Sequence, residues 1–230
     1  MQMALKDFHD YPKPSVAVDV VCLAAVAGEL QVLLYERTIP PQKGALALPG
    51  GFVHIDESLE AAAAHLLRDK AGLDDVFMEQ LQAFGAPGRD PRGRVITIAH
   101  LALMEPSRFG GAAARRVPVR ELQGAELFLD HAQIVAAAVR HLRARLDETS
   151  IAFQLLPERF TLRELQEVHE AIRGERLNKD SFRRRLMATG TLVATGAWER
   201  DVLHRPAELL RFRGTRRREH AGNAAHRSRR

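Results

Sequence analysis

A single cysteine, Cys22, stands in 230 residues, so no intrachain disulfide framework is available. Its neighbours Val20, Val21 and Leu23 are apolar, the setting of a buried thiol in a reducing compartment. No apolar run approaches the length needed to cross a bilayer. The start carries Lys6, Asp7, His9 and Asp10 where a secretory leader would be apolar. These absences set the expectation of a cytoplasmic protein of bacterial type with no membrane partner.

What is present is enough for a sizeable core. With 46% hydrophobic residues, the length suits two small domains. The net charge of +5 is unevenly spread. Residues 157–230 hold 18 Lys+Arg against 10 Asp+Glu, a balance of +8, whereas residues 1–156 hold the remaining 16 and 19, a balance of −3. Positive charge gathered in one half points to a polyanionic partner for that half. Part of it lies in the tail after Phe212, whose arginines show no apolar periodicity, the composition of a disordered segment. That tail reads equally as a solvated extension and as a nucleic-acid arm.

The first half reads as a mixed sheet with helices. Ser15 to Val26 and Leu30 to Tyr35 form a β-hairpin turning at Ala27-Gly28-Glu29. A Pro/Gly-rich loop, Thr38 to Gly44, leads into a short strand at Ala45 to Leu48, and Pro49-Gly50-Gly51 then forces a turn. Asp56 or Ser58 can cap a helix running from about Leu59 to Lys70, which Gly72 stops. Strands are expected at Phe77 to Gly85 and Val95 to Met104, and a short strand and turn at Val117 to Leu122. Asp130 to Glu148, with Ile134, Val135, Ala138, Leu142 and Leu146 at helical spacing, closes this half. Between two of the strands, Gly88-Arg89-Asp90-Pro91-Arg92-Gly93 makes a polar loop. Its two arginines suit a diphosphate, because a guanidinium fork pairs with two phosphate oxygens. Arg37 could meet a phosphate as well; for all three, a solvated surface charge is the plainer alternative.

The stretch from Gly50 to Leu73 resembles the Nudix box, with Gly51, Glu57, Leu67, Gly72 and Leu73 at its spacing. In that family an Arg-Glu pair and a Glu-Glu pair on the helix hold magnesium against a diphosphate, since a hard cation takes several oxygen ligands. Here His65-Leu66 and Asp69-Lys70 stand at those places. Leu66 offers no oxygen, and Lys70 puts a positive charge where the metal would sit. The expectation is a scaffold that has lost its metal, so no catalytic residue and no metal ligand is assigned.

After a linker at Thr149 to Pro157 the character of the chain changes. Thr161 and Glu164 make a capping box for a helix with Leu162, Leu165, Val168 and Ile172 as its buried stripe, ended by Gly174. Asn178 to Met187 starts a second helix, with Phe182, Leu186 and Met187 facing in and Arg183-Arg184-Arg185 in succession. Helix, turn and arginine-bearing helix is the order of a helix-turn-helix, the second helix entering the major groove. Leu192-Val193 and Leu209 to Phe212, flanking His204-Arg205-Pro206, would be the strands of a wing touching phosphates.

End to end, the chain resembles the Nudix-related transcriptional regulators of NAD metabolism, the NrtR type. The resemblance rests on Lys13-Pro14-Ser15-Val16, Leu48-Pro49-Gly50-Gly51-Phe52-Val53, Phe84-Gly85 with the 88–93 loop, Asp130-His131, Ile151-Ala152-Phe153, Phe160-Thr161-Leu162 and Phe182-Arg183-Arg184. It departs at the wing, where the family usually carries Gly-Arg-Pro and this chain has His204-Arg205-Pro206. The resemblance implies an α+β chain: a Nudix-like mixed-sheet α/β/α sandwich over residues 1–150, a winged helix-turn-helix over 151–213, and a basic tail over 214–230. It implies a homodimer that reads a palindromic operator in double-stranded DNA and senses ADP-ribose or a related NAD-derived nucleotide. No cofactor is expected beyond that effector. The ligand would be held by Arg37, Gly50, Gly51, Phe52, Glu57, Arg89 and Arg92. DNA would meet Asn178, Lys179, Arg183 and Arg184, with Thr161 and Arg205 at its backbone. Two alternatives stand beside this reading: a working Nudix pyrophosphohydrolase using Glu57 and Asp69, and an RNA-associated adaptor.

Overall fold

The computed structural model describes residues 7–110, 114–122, 124–147, 150–200, 202–203 and 205–214. Its centre is the strand β1 (Ser15–Val26), nine consecutive positions of which are buried. Side chains alternate across a strand, so an unbroken buried run means that both faces of the sheet are covered. Val18, Val20, Cys22 and Ala24 pack with Ala62, Ala63, Leu66 and Leu67 of helix α1 (Leu59–Ala71). Val21, Leu23 and Ala25 pack on the opposite face, with Ile134, Ala138 and Leu142 of helix α2 (His131–Arg145).

The remaining strands are β2 (Glu29–Glu36), β3 (Leu46–Ala47), β4 (Gly50–Phe52), β5 (Phe77–Phe84), β6 (Val95–Leu103) and β7 (Ala114–Pro118). The sheet runs β3-β2-β1-β6-β5, with β4 also on β1 and β7 on β2. β1 and β6 are parallel, while the other pairs are antiparallel. The β1–β2 hairpin closes in two residues, Ala27 at φ 51° and Gly28 at φ 78°, the doubly left-handed turn that matches strand twist. Ser58 caps α1 by accepting from the Ala61 amide at 3.1 Å, and Gly72 ends it at φ 64°.

Past α2 come helix α3 (Leu162–Arg173), helix α4 (Lys179–Ala188) and a two-stranded ribbon, β8 (Leu192–Trp198) with β9 (Glu208–Phe212). Thr161 and Glu164 form the reciprocal capping box expected of them. Phe160 and Leu210 exchange both backbone hydrogen bonds, at 3.0 and 2.7 Å, which ties the ribbon to the start of α3. This is the order of a winged helix-turn-helix on a mixed α/β sandwich.

Several boundaries differ from expectation. The segment read as a linker is a 3-10 turn, Ile151–Leu155, and Ile151, Ala152, Phe153, Leu155 and Leu156 are all buried. These residues join one apolar cluster that runs from Val21, Leu34 and Leu101 of the sheet to Leu165, Val168, Ile172 and Phe182. Thus α3 lies on the sheet beside α2, and the helical module has no separate core. The strand expected at Val117 begins at Ala114 and stops at Pro118, which has no amide to donate, and Val119–Leu122 curls into a 3-10 turn. Met187 is 54% exposed, because Phe182 and Leu186 already fill the inward face of α4. The wing strands are longer than Leu192-Val193 and Leu209 to Phe212. The tail from residue 215 and His204 lie outside the described residues.

A shared core predicts shared unfolding. Leu165→Ala removes a fully buried side chain and should cost about 2–5 kcal/mol. In urea titrations, Trp198 fluorescence, which reports the wing, and far-UV circular dichroism should shift together; separate midpoints would contradict a common core.

Candidate nucleotide pocket and nucleic-acid interface

One edge of β1 is divided between two partners. Ala17, Val18 and Asp19 pair with β4, whereas Leu23 to Val26 pair with β2. Between them the sheet parts into a pocket of about 460 Å³ lined by Asp19, Tyr35, Arg37, Gly50 to Phe52, Lys70, Arg89, Arg92 and Phe128, among others. A larger groove of about 740 Å³ lies elsewhere, between α2, α3 and the β1–β2 turn. The smaller pocket is the one lined by the Gly50–Phe52 strand, by Lys70 of α1 and by the arginines of the 88–93 loop.

Asp19 sits at the parting point, 7% exposed within an otherwise apolar strand. A buried carboxylate must be compensated. The Arg89 guanidinium lies 4.0 Å from it and donates to both oxygens of Asp130, at 2.8 and 2.5 Å. His131 completes the floor: its Nδ1 accepts from the Leu48 amide at 2.9 Å, and its Nε2 faces Asp19 at 3.5 Å. Burial pushes the His131 pKa down, and because Nδ1 accepts from an amide, the ring carries its proton on Nε2. Gly50 has no room for a side chain, since a Cβ there would meet Asp19 Oδ1 at 2.1 Å and the Val18 carbonyl at 2.6 Å. A Cβ on Gly51 would meet Leu66 Cδ2 at 2.9 Å.

Lys70 reaches back from α1 and donates its ammonium to the Gly50 carbonyl. Partial burial of that ammonium lowers its pKa, and Asp19 opposes the shift. Leu66 is buried against Gly51 and supplies no oxygen to the pocket. Arg37 stacks 3.6 Å over the Phe128 ring and donates to the carbonyls of Ile39, Pro40 and Pro41. Burial lowers its pKa, and Arg92 nearby adds to that. Arg92 forms a two-point bond to Asp90, at 2.9 and 2.6 Å, with its guanidinium 5.5 Å from the Phe52 ring centroid. That bond holds the Asp90 carboxyl below the usual range. The pocket lining therefore carries Arg37, Lys70, Arg89 and Arg92 against Asp19, Glu36 and Asp90, with Asp130 pairing Arg89 beside it.

The structure redistributes the expected ligand residues. Arg37, Gly50, Gly51, Phe52, Arg89 and Arg92 all line the pocket. Arg89 was expected to turn its fork to a diphosphate, or else to be a solvated surface charge; its side chain is 4% exposed and its fork is committed to Asp130. Glu57 is not among the lining residues; it accepts from the His54 amide at 2.6 Å and pairs with His65 Nδ1 at 2.8 Å. Asp19 and His131 were given no role in the sequence reading. A lone aspartate in the middle of Ser-Val-Ala-Val-Asp-Val-Val-Cys-Leu was the available signal.

In the helical module, Lys179, Arg183 and Arg184 are exposed on α4, with no ion pair among the described residues. Two positions past the buried Phe182, Arg184 points away from the core, with Arg183 and Lys179 on the adjoining flank. Arg185 turns to the other side, where its charge reaches His169. Asn178 is exposed, and its Oδ1 caps α4 by accepting from the Ser181 amide at 2.9 Å. Thr161 differs from expectation: it is 3% exposed, and its hydroxyl serves the capping box, so it offers no open side chain to a phosphate. Arg205 is exposed in the wing loop.

Two family models match, NUDIX domain over residues 13–148 and NrtR DNA-binding winged helix domain over residues 152–212. The chain belongs to the Nudix family, in its NrtR branch. It is similar to the ADPR responsive transcriptional repressor NtrR of Acinetobacter baylyi, 35% identical over 210 residues that span 88% of this chain and 84% of that protein. It also resembles NrtR of Shewanella oneidensis crystallised with a 27mer DNA, with TM-score 0.77 and 32% identity over 86% of this chain and 93% of that one. The NUDIX domain of the same NrtR, crystallised with ADP ribose, aligns with TM-score 0.53 and 30% identity over 60% of this chain and 95% of that one. Among the described residues, no helix of this NrtR-type chain is long and apolar enough to cross a membrane.

Three buried histidines make stability pH-dependent. Burial lowers the pKa of His100, of His131 and of His169, the last to about 4, with Arg185 adding to the effect. Unfolded, each takes a proton near pH 6.5. The unfolded state thus binds more protons below that value, and stability falls as pH drops from about 6.5 toward 4. Urea midpoints should decline over this window, and His169→Gln should flatten the slope by up to about 1.4 kcal/mol per pH unit. A slope unchanged by the substitution would show that His169 protonates freely in the folded chain.

Proposed function

We propose that this chain is a DNA-binding transcriptional repressor of NAD biosynthesis or salvage genes, controlled by ADP-ribose or a related NAD-derived nucleotide. The sensing part is drawn at residues 1–150, the reading part at 151–213 and a basic tail at 214–230. The observation that carries the reading is Lys70, whose ammonium occupies the pocket where the helix of the box would otherwise bring a carboxylate. A fixed cation draws a diphosphate without a metal, and Leu66 takes a further oxygen away. This supports a pocket that binds the nucleotide and does not cleave it. In this reading Lys70, Arg37 and Arg92 face the diphosphate, Phe52 flanks it, and Arg89 holds the floor through Asp130.

The reading part acts as one half of a homodimer on a palindromic operator. Arg183, Arg184 and Lys179 enter the major groove, Asn178 stands at the mouth of that helix, and Arg205 lies along the phosphates. The amide of Thr161 and its neighbours position α3 and do not touch DNA through the hydroxyl. Effector binding shifts the DNA-bound population by its differential affinity for the free and bound arrangements.

Mobility shift with fragments from upstream of the gene itself and of NAD-pathway genes tests this. The wild-type chain should retard one such fragment, and ADP-ribose should change that retardation. Arg184→Ala should weaken operator binding about tenfold or more, the effect of about 1–3 kcal/mol for a lost base contact. No retardation of any fragment at low salt, or formation of AMP from ADP-ribose and magnesium, would overturn the proposal.

A further inference from the structure

Outside the nucleotide pocket, the box loop and α1 bring three metal-ligating side chains together. His54 and Glu57 come from the loop before α1, and His65 from the second turn of the helix. One ligand atom from each lies within 4.8 Å of the other two. Glu57 is held from both sides: one oxygen accepts from the His54 amide at 2.6 Å and the other pairs with His65 Nδ1 at 2.8 Å. The His54 and His65 rings meet edge to face, with centroids 5.7 Å apart. His54 is exposed and the other two are half-buried, so the donors are preformed yet open to solvent.

We infer that His54, Glu57 and His65 form a site for a borderline divalent transition metal, of the class of zinc, cobalt or nickel. Two imidazoles and one carboxylate are a donor set these ions accept, whereas magnesium takes oxygen ligands in a tight octahedron and gains little from imidazole. Metal–nitrogen bonds of about 2.0–2.1 Å bring tetrahedral donors to about 3.3 Å from one another. The exposed His54 side chain is the one able to turn inward and close that distance. On binding, the His65 proton moves by way of solvent from Nδ1 to Nε2, and the ion takes its place, bonded by the freed Nδ1 lone pair and by one from the Glu57 carboxylate. Three protein donors leave a fourth position to water. Because Phe52 lines the nucleotide pocket two residues before His54, the ion would fasten the pocket's rim to α1.

The full chain, stripped with EDTA and dialysed free of it, should be titrated with zinc by calorimetry and with cobalt by visible absorption, with magnesium as control. One equivalent of zinc should bind with micromolar or better affinity, and cobalt should give the ligand-field bands of a four-coordinate ion with nitrogen donors. His54→Gln and His65→Gln should each weaken zinc binding at least tenfold, with far-UV circular dichroism unchanged. His141→Gln, which alters a separate histidine–carboxylate pair with Glu79, should leave it intact. Failure to bind zinc at 100-fold excess over protein would overturn the site. So would binding that survives both box substitutions, which would place the ion on histidines elsewhere, such as His220 or His226 of the tail.

Discussion

The carboxylate of Asp19 is the constraint around which the pocket is built. A charge placed in the central strand, where every neighbour is apolar, is tolerated only if the surrounding chain supplies opposite charge and hydrogen bonds. Arg89 brings that charge from the loop between β5 and β6, and Asp130 at the head of α2 orients it. The neutral His131 locks its tautomer on the Leu48 amide and faces Asp19 with the other nitrogen. Gly50 must lack a side chain to pass this carboxylate, which in turn places the Gly50 carbonyl where Lys70 can reach it. Residues from five separate segments are thereby fixed relative to one another, and the charged lining of the pocket is built on them.

The second constraint is mechanical. The sheet's inner face is covered jointly by α2 and α3, and the segment between them is buried rather than slack. Arg143 of α2 donates to the Ile172 carbonyl of α3 at 2.7 Å, and Arg173 pairs with Asp147 at 2.5 Å. These contacts link the pocket end of α2, where Asp130 and His131 sit, to α3 and, through Phe182, to α4 in one continuous packing. Close-packed interiors transmit shifts because they have few voids to absorb them.

Much of this was legible in the sequence, for particular reasons. The long Val/Ala-rich run of β1, the alternation at β6, the Ala27-Gly28 turn, the Ser58 and Gly72 limits of α1 and the Thr161–Glu164 box are all local signals, and local signals set element type. The box spacing and the Phe182-Arg183-Arg184 run pointed to the Gly50–Phe52 stretch, which lines the pocket, and to α4, where both arginines are exposed. What stayed hidden depends on contacts far apart in the chain. No local pattern says that Arg89 meets Asp130, 41 residues on, instead of solvent. The segment at 149–157 reads as a linker by its place between two helical patterns, yet Ile151, Phe153 and Leu155 are buried in the common core. Thr161 was legible as a cap, and the same bond removes it from solvent. His54, Glu57 and His65 are separated by gaps that match no metal pattern until the loop folds onto α1.

The central claim is that the pocket holds a nucleotide diphosphate with the protein's own cations and no divalent ion. Calorimetric titration of ADP-ribose into the full chain, once in EDTA and once in magnesium, tests it most directly, with Lys70→Glu as the paired variant. The account predicts the same affinity in both buffers for the wild-type chain and at least a tenfold loss in the variant. Binding that requires magnesium, or that is indifferent to the charge at position 70, would contradict it.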